Sequence, residues 1–257
     1  MSGRDSRAID KLRDGDECVG SFTFSPDPAH TEIIGAAGFD FVVIDLEHAP
    51  LAAGDVLAHV RAARATGISP FVRVRHNDPA DVGRLLDLGA EGIVFPHLGL
   101  QPEQTRRALD ALRYSPAGSR PTCSGVRAVD YGLSSFADYA GRSNDSVVSI
   151  GLVEDQDVVE RIDEVLHEFP VDVVIPGSGD LATSLGVHGQ HTHPRVIESL
   201  ERVIAATKAS GTAKAGMYLS EPSAAPRWRE LGVDFFVVSI DYRLLAHAYS
   251  TALAQLG

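Results

Sequence analysis

Cysteine is nearly missing from this chain: Cys18 and Cys123 are the only two among 257 residues, and neither belongs to a CxxC pair. A disulfide framework is therefore not expected, and a reducing, cytoplasmic setting is. Basic residues are also short, 23 against 35 acidic ones, for a formal net charge of −12. Affinity for nucleic acid or anionic membrane rests on clustered Lys and Arg, so neither is an expected partner. No apolar run approaches the ~20 residues of a membrane span. The polar start MSGRDSRAIDKLRDGDE lacks the apolar core of a signal peptide. A GxGxxG dinucleotide fingerprint after the first apolar run is lacking too; GSGDLA (177–182) comes too late and is too short.

What the chain does have is alternation. Apolar runs rich in Val, Ile and Phe fall at 18–24, 41–47, 70–74, 92–97, 147–154, 171–176, 214–219 and 235–240. Helix-period segments lie between them, at 54–66, 80–88, 102–114, 157–169, 194–210, 224–231 and 242–256. Four of those segments run into a glycine (Gly67, Gly89, Gly211, Gly232), as left-handed helix ends prefer. VVID, GIVF, VDVVI and FFVVS are continuous rather than alternating, the pattern of parallel strands buried on both faces. Eight strand–helix repeats in about 250 residues fit a single-domain (β/α)8 TIM barrel, over residues 1–257, better than an open doubly wound sheet. The interruption at 115–145 is long for a helix-to-strand connection, and such loops are usually functional or disordered.

In a barrel of this type the chemistry belongs at the C-terminal ends of the strands. Those positions carry Asp45-Leu46-Glu47-His48, Arg73-Val74-Arg75-His76, Pro96-His97, Glu154-Asp155 and Gly177-Ser178-Gly179-Asp180. Glu154 and Asp180 end consecutive strands and would face one mouth. Two carboxylates plus water are a usual protein share of a Mg²⁺ or Mn²⁺ site; the competing reading is that each caps the helix that follows. His48 follows an acidic strand end, which suits a general base, although a solvent-facing loop histidine has the same pattern. Arg73 sits inside the apolar strand PFVRV, where a cation needs an anionic partner or ligand. His97 is close enough to the expected mouth to touch substrate or to pack. His188, His191 and His193 form a polar tract without metal-ligand spacing, a weak zinc candidate. Trp228 reads as core.

The segments GSFTFSPDPAHTEIIGAAGFDFVVIDLEHAP, PFVRVRHNDPADVGRLLDLGAEGIVFP, RYSPAGSRP, LVE and GSGDLATSLG occur in the order found in the HpcH/HpaI class II pyruvate aldolases, which this chain resembles from about residue 8 to 254. EHAP and RLLDLG are the most specific pieces. The resemblance implies a (β/α)8 barrel that cleaves 4-hydroxy-2-oxoacids to pyruvate and an aldehyde with a divalent cation (Mg²⁺, Mn²⁺ or Co²⁺). It implies a homo-oligomer, a hexamer in which the last helix is exchanged between subunits. By the same resemblance His48 is the base, Arg73 stabilises the enolate, Glu154 and Asp180 hold the metal, and Asp87 makes His48 more basic. Backbone N–H groups at Gly179 and Asp180 would hold the substrate carboxylate, as a helix N-terminus can. Asp87 falls at the end of a helical segment, so Asp45, three residues before His48, is its rival as the histidine's partner. Three positions depart from the family pattern. Leu152 replaces a substrate-contacting Gln, Ser178 replaces Pro, and Pro121 replaces Gly in the long loop. These leave room for a carbon–carbon ligase of the citrate-synthase kind, or for a catalytically lapsed binding subunit.

Overall fold

The computed structural model describes residues 7–256; the polar residues 1–6 and Gly257 lie outside it. Eight parallel strands close on themselves in chain order, β1 (Cys18–Thr23), β2 (Phe41–Asp45), β3 (Ser69–Arg73), β4 (Gly92–Phe95), β5 (Val148–Val153), β6 (Val173–Pro176), β7 (Lys214–Leu219) and β8 (Phe235–Ile240). Closure is made by β1 on β8, with Cys18 opposite Phe235 and Val19 opposite Phe236. The expected (β/α)8 barrel is thus observed, each strand within three residues of its expected ends.

Alternation along each strand divides the core. Val148, Ile150 and Leu152 of β5 join Val43, Phe71, Val94, Val173 and Val237 in the barrel interior, whereas Val153 packs outward under the helices. At the centre the Phe41 ring stacks on Phe235 at 4.5 Å and meets Phe71 at 5.3 Å. A side chain at Gly20 would begin 2.2 Å from the Phe41 ring, so glycine there is the room this aromatic layer needs.

The helices depart from expectation more than the strands. The segment expected at 157–169 is two helices, Gln156–Glu160 and Ile162–Glu168, broken at Arg161 (φ −116°, ψ 30°). The helix expected at 102–114 stops at Asp110. Arg7–Asp14, Ala29–Ala36 and Phe136–Ser146 are helices without a counterpart among the expected segments, while Ser178–Ser184 is the helix whose N-terminus was expected at Gly179 and Asp180. The four capping glycines all take positive φ. The interruption at 115–145 folds into a short 3₁₀ turn, Arg127–Gly132, and the helix Phe136–Ser146. It feeds the N-terminal end of β5 and is tied down there, with Arg127 Nη1 donating to the Leu88 carbonyl. It therefore covers the end of the barrel opposite the mouth. Trp228 is buried in the outer core, as expected. No helix among the described residues is long and apolar enough to cross a membrane.

Candidate active site

Glu154 follows β5 directly. Leu152 points into the barrel, and strand alternation carries Glu154 to the same side at the mouth. Its side chain is 5% exposed. Oε1 accepts the backbone N–H of His97 at 3.0 Å, and a Cβ on Gly177 would fall 2.7 Å from Oε2, so a glycine after β6 makes the space for this carboxylate. Burial, with the negative charges of Asp180 and Glu47 adding to it and His97 opposing, pushes the Glu154 carboxyl up to about 7. Asp180 lies in the first turn of the helix Ser178–Ser184 and is exposed. Neither carboxylate is spent as a helix cap: the residues before the two following helices are Asp155 and Gly177, and neither makes a side-chain capping bond.

This corner has an excess of negative charge around one buried carboxylate, which a hard divalent cation would relieve. Among the described residues, no three His, Cys, Asp or Glu side chains gather into a metal cage. A cation here would draw on two protein carboxylates and on oxygens from outside the protein. The same observation answers the His188, His191 and His193 tract. His193 instead caps the helix Pro194–Ser210, its Nδ1 accepting the Arg195 N–H at 3.3 Å.

On the other side of the mouth, Asp45 and Arg73 are register partners across β2 and β3. Arg73 donates from Nε to Asp45 Oδ1 at 3.0 Å and from Nη2 to Oδ2, while Nη1 lies 3.1 Å from Glu47 Oε2. The guanidinium carbon sits 4.8 Å from the Phe22 ring centre. Burial opposes the charge on Arg73, but Asp45, Glu47 and Glu154 outweigh it and hold the guanidinium protonated. The cation expected to need a partner inside PFVRV thus has one, and the planar group is fixed in direction. Burial pushes the Glu47 carboxyl upward, with Arg73 opposing.

His48 stands at the rim, its side chain 55% exposed, with Nε2 3.7 Å from Glu47 Oε2. Asp45 meets His48 only through the backbone, Oδ1 accepting the His48 N–H at 3.4 Å; its side chain serves Arg73. Asp87 ends the helix Pro79–Asp87 and accepts from buried Arg120 at 2.6 Å, on the end of the barrel away from the mouth. Within this chain neither Asp45 nor Asp87 touches the His48 ring. Pro121 lies beside Gly83 of that same outer helix and not at the mouth. Gly179 and Asp180 open the helix Ser178–Ser184, whose first internal bond runs from the Leu181 N–H to the Gly177 carbonyl. The N–H groups before Leu181 have no acceptor within the helix.

Three residues complete the mouth, of which the sequence had offered a role, touching substrate or packing, only for His97. Glu47 bridges Arg73 and His48, a place in EHAP that the pattern displayed without its purpose. His97 was expected at a strand end. It lies instead beyond β4 in the left-handed region (φ 49°), with Nδ1 2.9 Å from Asp155 Oδ2. Asp155 is the third. The hydrogen bond that the ring donates to Asp155 raises His97 to about 9, against burial and with help from Glu154.

Comparison with known proteins agrees with this geometry. Residues 19–248 match the HpcH/HpaI aldolase/citrate lyase family. The chain is 33% identical over 244 residues to a pyruvate aldolase of Rhizobium etli, covering 95% of this chain and 94% of that protein. It is 30% identical over 248 residues to a 4-hydroxy-2-oxo-heptane-1,7-dioate aldolase of Salmonella dublin, covering 96% and 93%. Among solved structures, an HpcH/HpaI aldolase/citrate lyase family protein from Burkholderia cenocepacia J2315 superposes with a TM-score of 0.89 at 32% identity, covering 97% of this chain and 98% of that one. The citrate synthase SbnG superposes at 0.87 with 29% identity, covering 98% and 97%. With aldolases matching it almost end to end, and with acid and arginine clusters at the expected end of the barrel, the chain belongs to the HpcH/HpaI aldolase/citrate lyase family and is a carbon–carbon lyase.

Proposed function

We propose that this protein is a divalent-metal-dependent aldolase that cleaves, or in reverse forms, a 4-hydroxy-2-oxoacid through the enolate of pyruvate. The observation that carries the reading is the buried Glu154 carboxylate, crowded by Asp180 and Glu47 within electrostatic reach of the fixed Arg73 guanidinium. Glu154 and Asp180 would hold a cation (Mg²⁺, Mn²⁺ or Co²⁺), which would supply Lewis-acid polarisation of the 2-oxo carbonyl. Arg73 has five N–H donors, of which Asp45 takes two while Nη1 pairs with the Glu47 carboxylate, leaving Nη hydrogens for the oxygen that becomes negative. His48 removes the C4 hydroxyl proton; the C3–C4 bond then breaks, releasing the aldehyde and leaving the electron pair on the enolate, which regains a proton at C3. Gly179 and Asp180 offer backbone N–H groups to the C1 carboxylate. Crystals soaked in Mn²⁺ should give one anomalous peak within coordination distance of Glu154 and Asp180. A peak at His188, His191 and His193 in its place, or no release of pyruvate from any 4-hydroxy-2-oxoacid, overturns the reading.

Leu152 sets the partner. It is buried in the barrel interior two residues before Glu154, and offers substrate no hydrogen bond. Leu152→Gln should shift kcat/KM toward aldehydes carrying a hydroxyl or carboxylate over an aliphatic one of equal size. One net hydrogen bond, roughly 0.5–1.5 kcal/mol, makes that about two- to tenfold. An unchanged ratio between the matched aldehydes means Leu152 does not read the substrate.

The assembly belongs to the same proposal: a soluble cytoplasmic homo-oligomer, a hexamer, in which the last helix packs on a neighbour. That helix, Asp241–Ala254, leaves Leu244, Leu245, Tyr249 and Leu253 exposed, which supports exchange. Sedimentation should give six times the chain mass of 27.4 kDa, and a monomer would contradict it. A ligase run in the synthetic direction is not favoured, since the curated relatives above are aldolases; turnover of pyruvate against oxaloacetate separates the two.

A further inference from the structure

The turn that ends β4 is more tightly held than a connection between strand and helix requires. The Pro96–His97 peptide is one rigid plane, with the Pro96 carbonyl on one side and the His97 N–H on the other. Asn77 Nδ2, buried after β3, donates to that carbonyl at 2.9 Å. The His97 N–H donates to Glu154 Oε1 at 3.0 Å. One residue on, the Leu98 N–H reaches the Leu152 carbonyl at 2.9 Å. His97 itself stands at φ 49°, a conformation that glycine adopts freely and histidine does not. Its ring is fixed by Asp155, the residue that follows Glu154, at 2.9 Å.

Together they hold the His97 amide against Glu154, whose Oε1 also lies 3.7 Å from Nδ1 of the ring. Oε1 of Glu154 is taken by the amide, and Oε2, opposite the bare α-carbon of Gly177, has no side chain beside it on that face. We propose that His97 is a positioning residue for Glu154: its left-handed backbone, anchored by Asp155 through the ring and by Asn77 through the preceding carbonyl, aims an amide N–H at Oε1 and so presents Oε2 to the cation. This rests on the reading of Glu154 as a metal ligand. The ring serves as the anchor that keeps a non-glycine residue in this conformation, and the amide does the aiming. A glycine in its place would allow the turn without enforcing it.

The test is Mn²⁺ binding by calorimetry and by electron paramagnetic resonance, on the full chain well below its melting temperature. His97→Val, β-branched and without the Asp155 bond, is expected to weaken Mn²⁺ binding at least tenfold. His97→Asn, which tolerates positive φ and keeps a side-chain donor, should stay within about threefold of the parent. Asn77→Ala releases the carbonyl without touching His97 and should weaken binding severalfold, which keeps the inference open to refutation where the Val variant does not fold. Parent-like affinity in both His97→Val and Asn77→Ala overturns it, as does equal loss in the Asn and Val variants, since that would assign the effect to the imidazole itself. Glu154→Gln serves as the control. If it leaves Mn²⁺ affinity unchanged, the metal reading falls and not the positioning alone.

Discussion

Arg73→Lys is expected to lower kcat and kcat/KM together, by roughly tenfold or more, with little change in melting temperature measured at neutral pH. The geometry gives the reason. Arg73 spends Nε and one Nη2 hydrogen on Asp45, pairs through Nη1 with the Glu47 carboxylate, and still has Nη hydrogens fixed in the plane. A lysine ammonium has three donors on a flexible stem. In a site with two carboxylates already waiting, those donors go to Asp45 and Glu47, and the ammonium retains neither the direction nor the reach to meet a developing oxyanion. Loss of a preorganised oxyanion donor costs about 3–4 kcal/mol in well-studied enzymes. Retained charge should recover part of that, which is why tenfold is the floor. Steady-state kinetics on a 4-hydroxy-2-oxoacid provide the check. A raised KM at unchanged kcat would mean Arg73 binds ground state and transition state alike, and its role at the enolate would be lost.

The barrel was legible because parallel strands buried on both faces read as uninterrupted apolar runs: FVVID, GIVF and VVIP sit in strands where the sequence places them. Ends of strands carrying Glu154 and Arg73 were legible for the same reason, since a charge after an apolar run stands out. Helices were harder. Phe136–Ser146 has no buried residue, so it carries no apolar stripe from which to infer it. Arg161 breaks a helix although nothing in its own chemistry forbids continuing one. His97 was legible in place but not in conformation. Its left-handed backbone is imposed by Asn77, Asp155 and Leu152, contacts that lie 20 or more residues away in sequence and leave no local signature. Asp87 shows the limit of a motif: RLLDLG placed it by resemblance, yet in this chain its carboxylate is taken by Arg120.

Glu154→Gln is expected to make the metal-free protein more stable at pH 8 while lowering Mn²⁺ affinity and lyase activity at least a hundredfold. In the parent the Glu154 carboxyl lies at about 7, above its ordinary 4.5, chiefly through burial. A carboxyl raised by folding favours the neutral form, so the fold loses stability as pH climbs from 4.5 to 7 and no more beyond it. At about 1.4 kcal/mol per pH unit the full loss is on the order of 3 kcal/mol. His97 adds a second window of the same sign. Raised from 6.5 to about 9 by Asp155, its contribution is complete below 6.5 and is lost as pH rises through 9. The melting temperature of the parent in EDTA should therefore fall from pH 5 to pH 9. Glutamine keeps an oxygen to accept the His97 N–H and nearly the same volume, but has no charge to bury. The variant should thus fall less than the parent between pH 5 and 7, where the raised Glu47 carboxyl still acts, and continue to fall above that, since the main partner of His97, Asp155, is still present. Saturating Mn²⁺ should raise the melting point of the parent and leave the variant unmoved. In the parent, Mn²⁺ affinity should climb about tenfold per pH unit below 7, because one proton must leave for each ion bound, and level off above. Scanning calorimetry across this range with and without Mn²⁺ decides it. A variant less stable than the metal-free parent at pH 8 would show that the Glu154 charge is satisfied by the protein alone, which leaves a cation nothing to relieve.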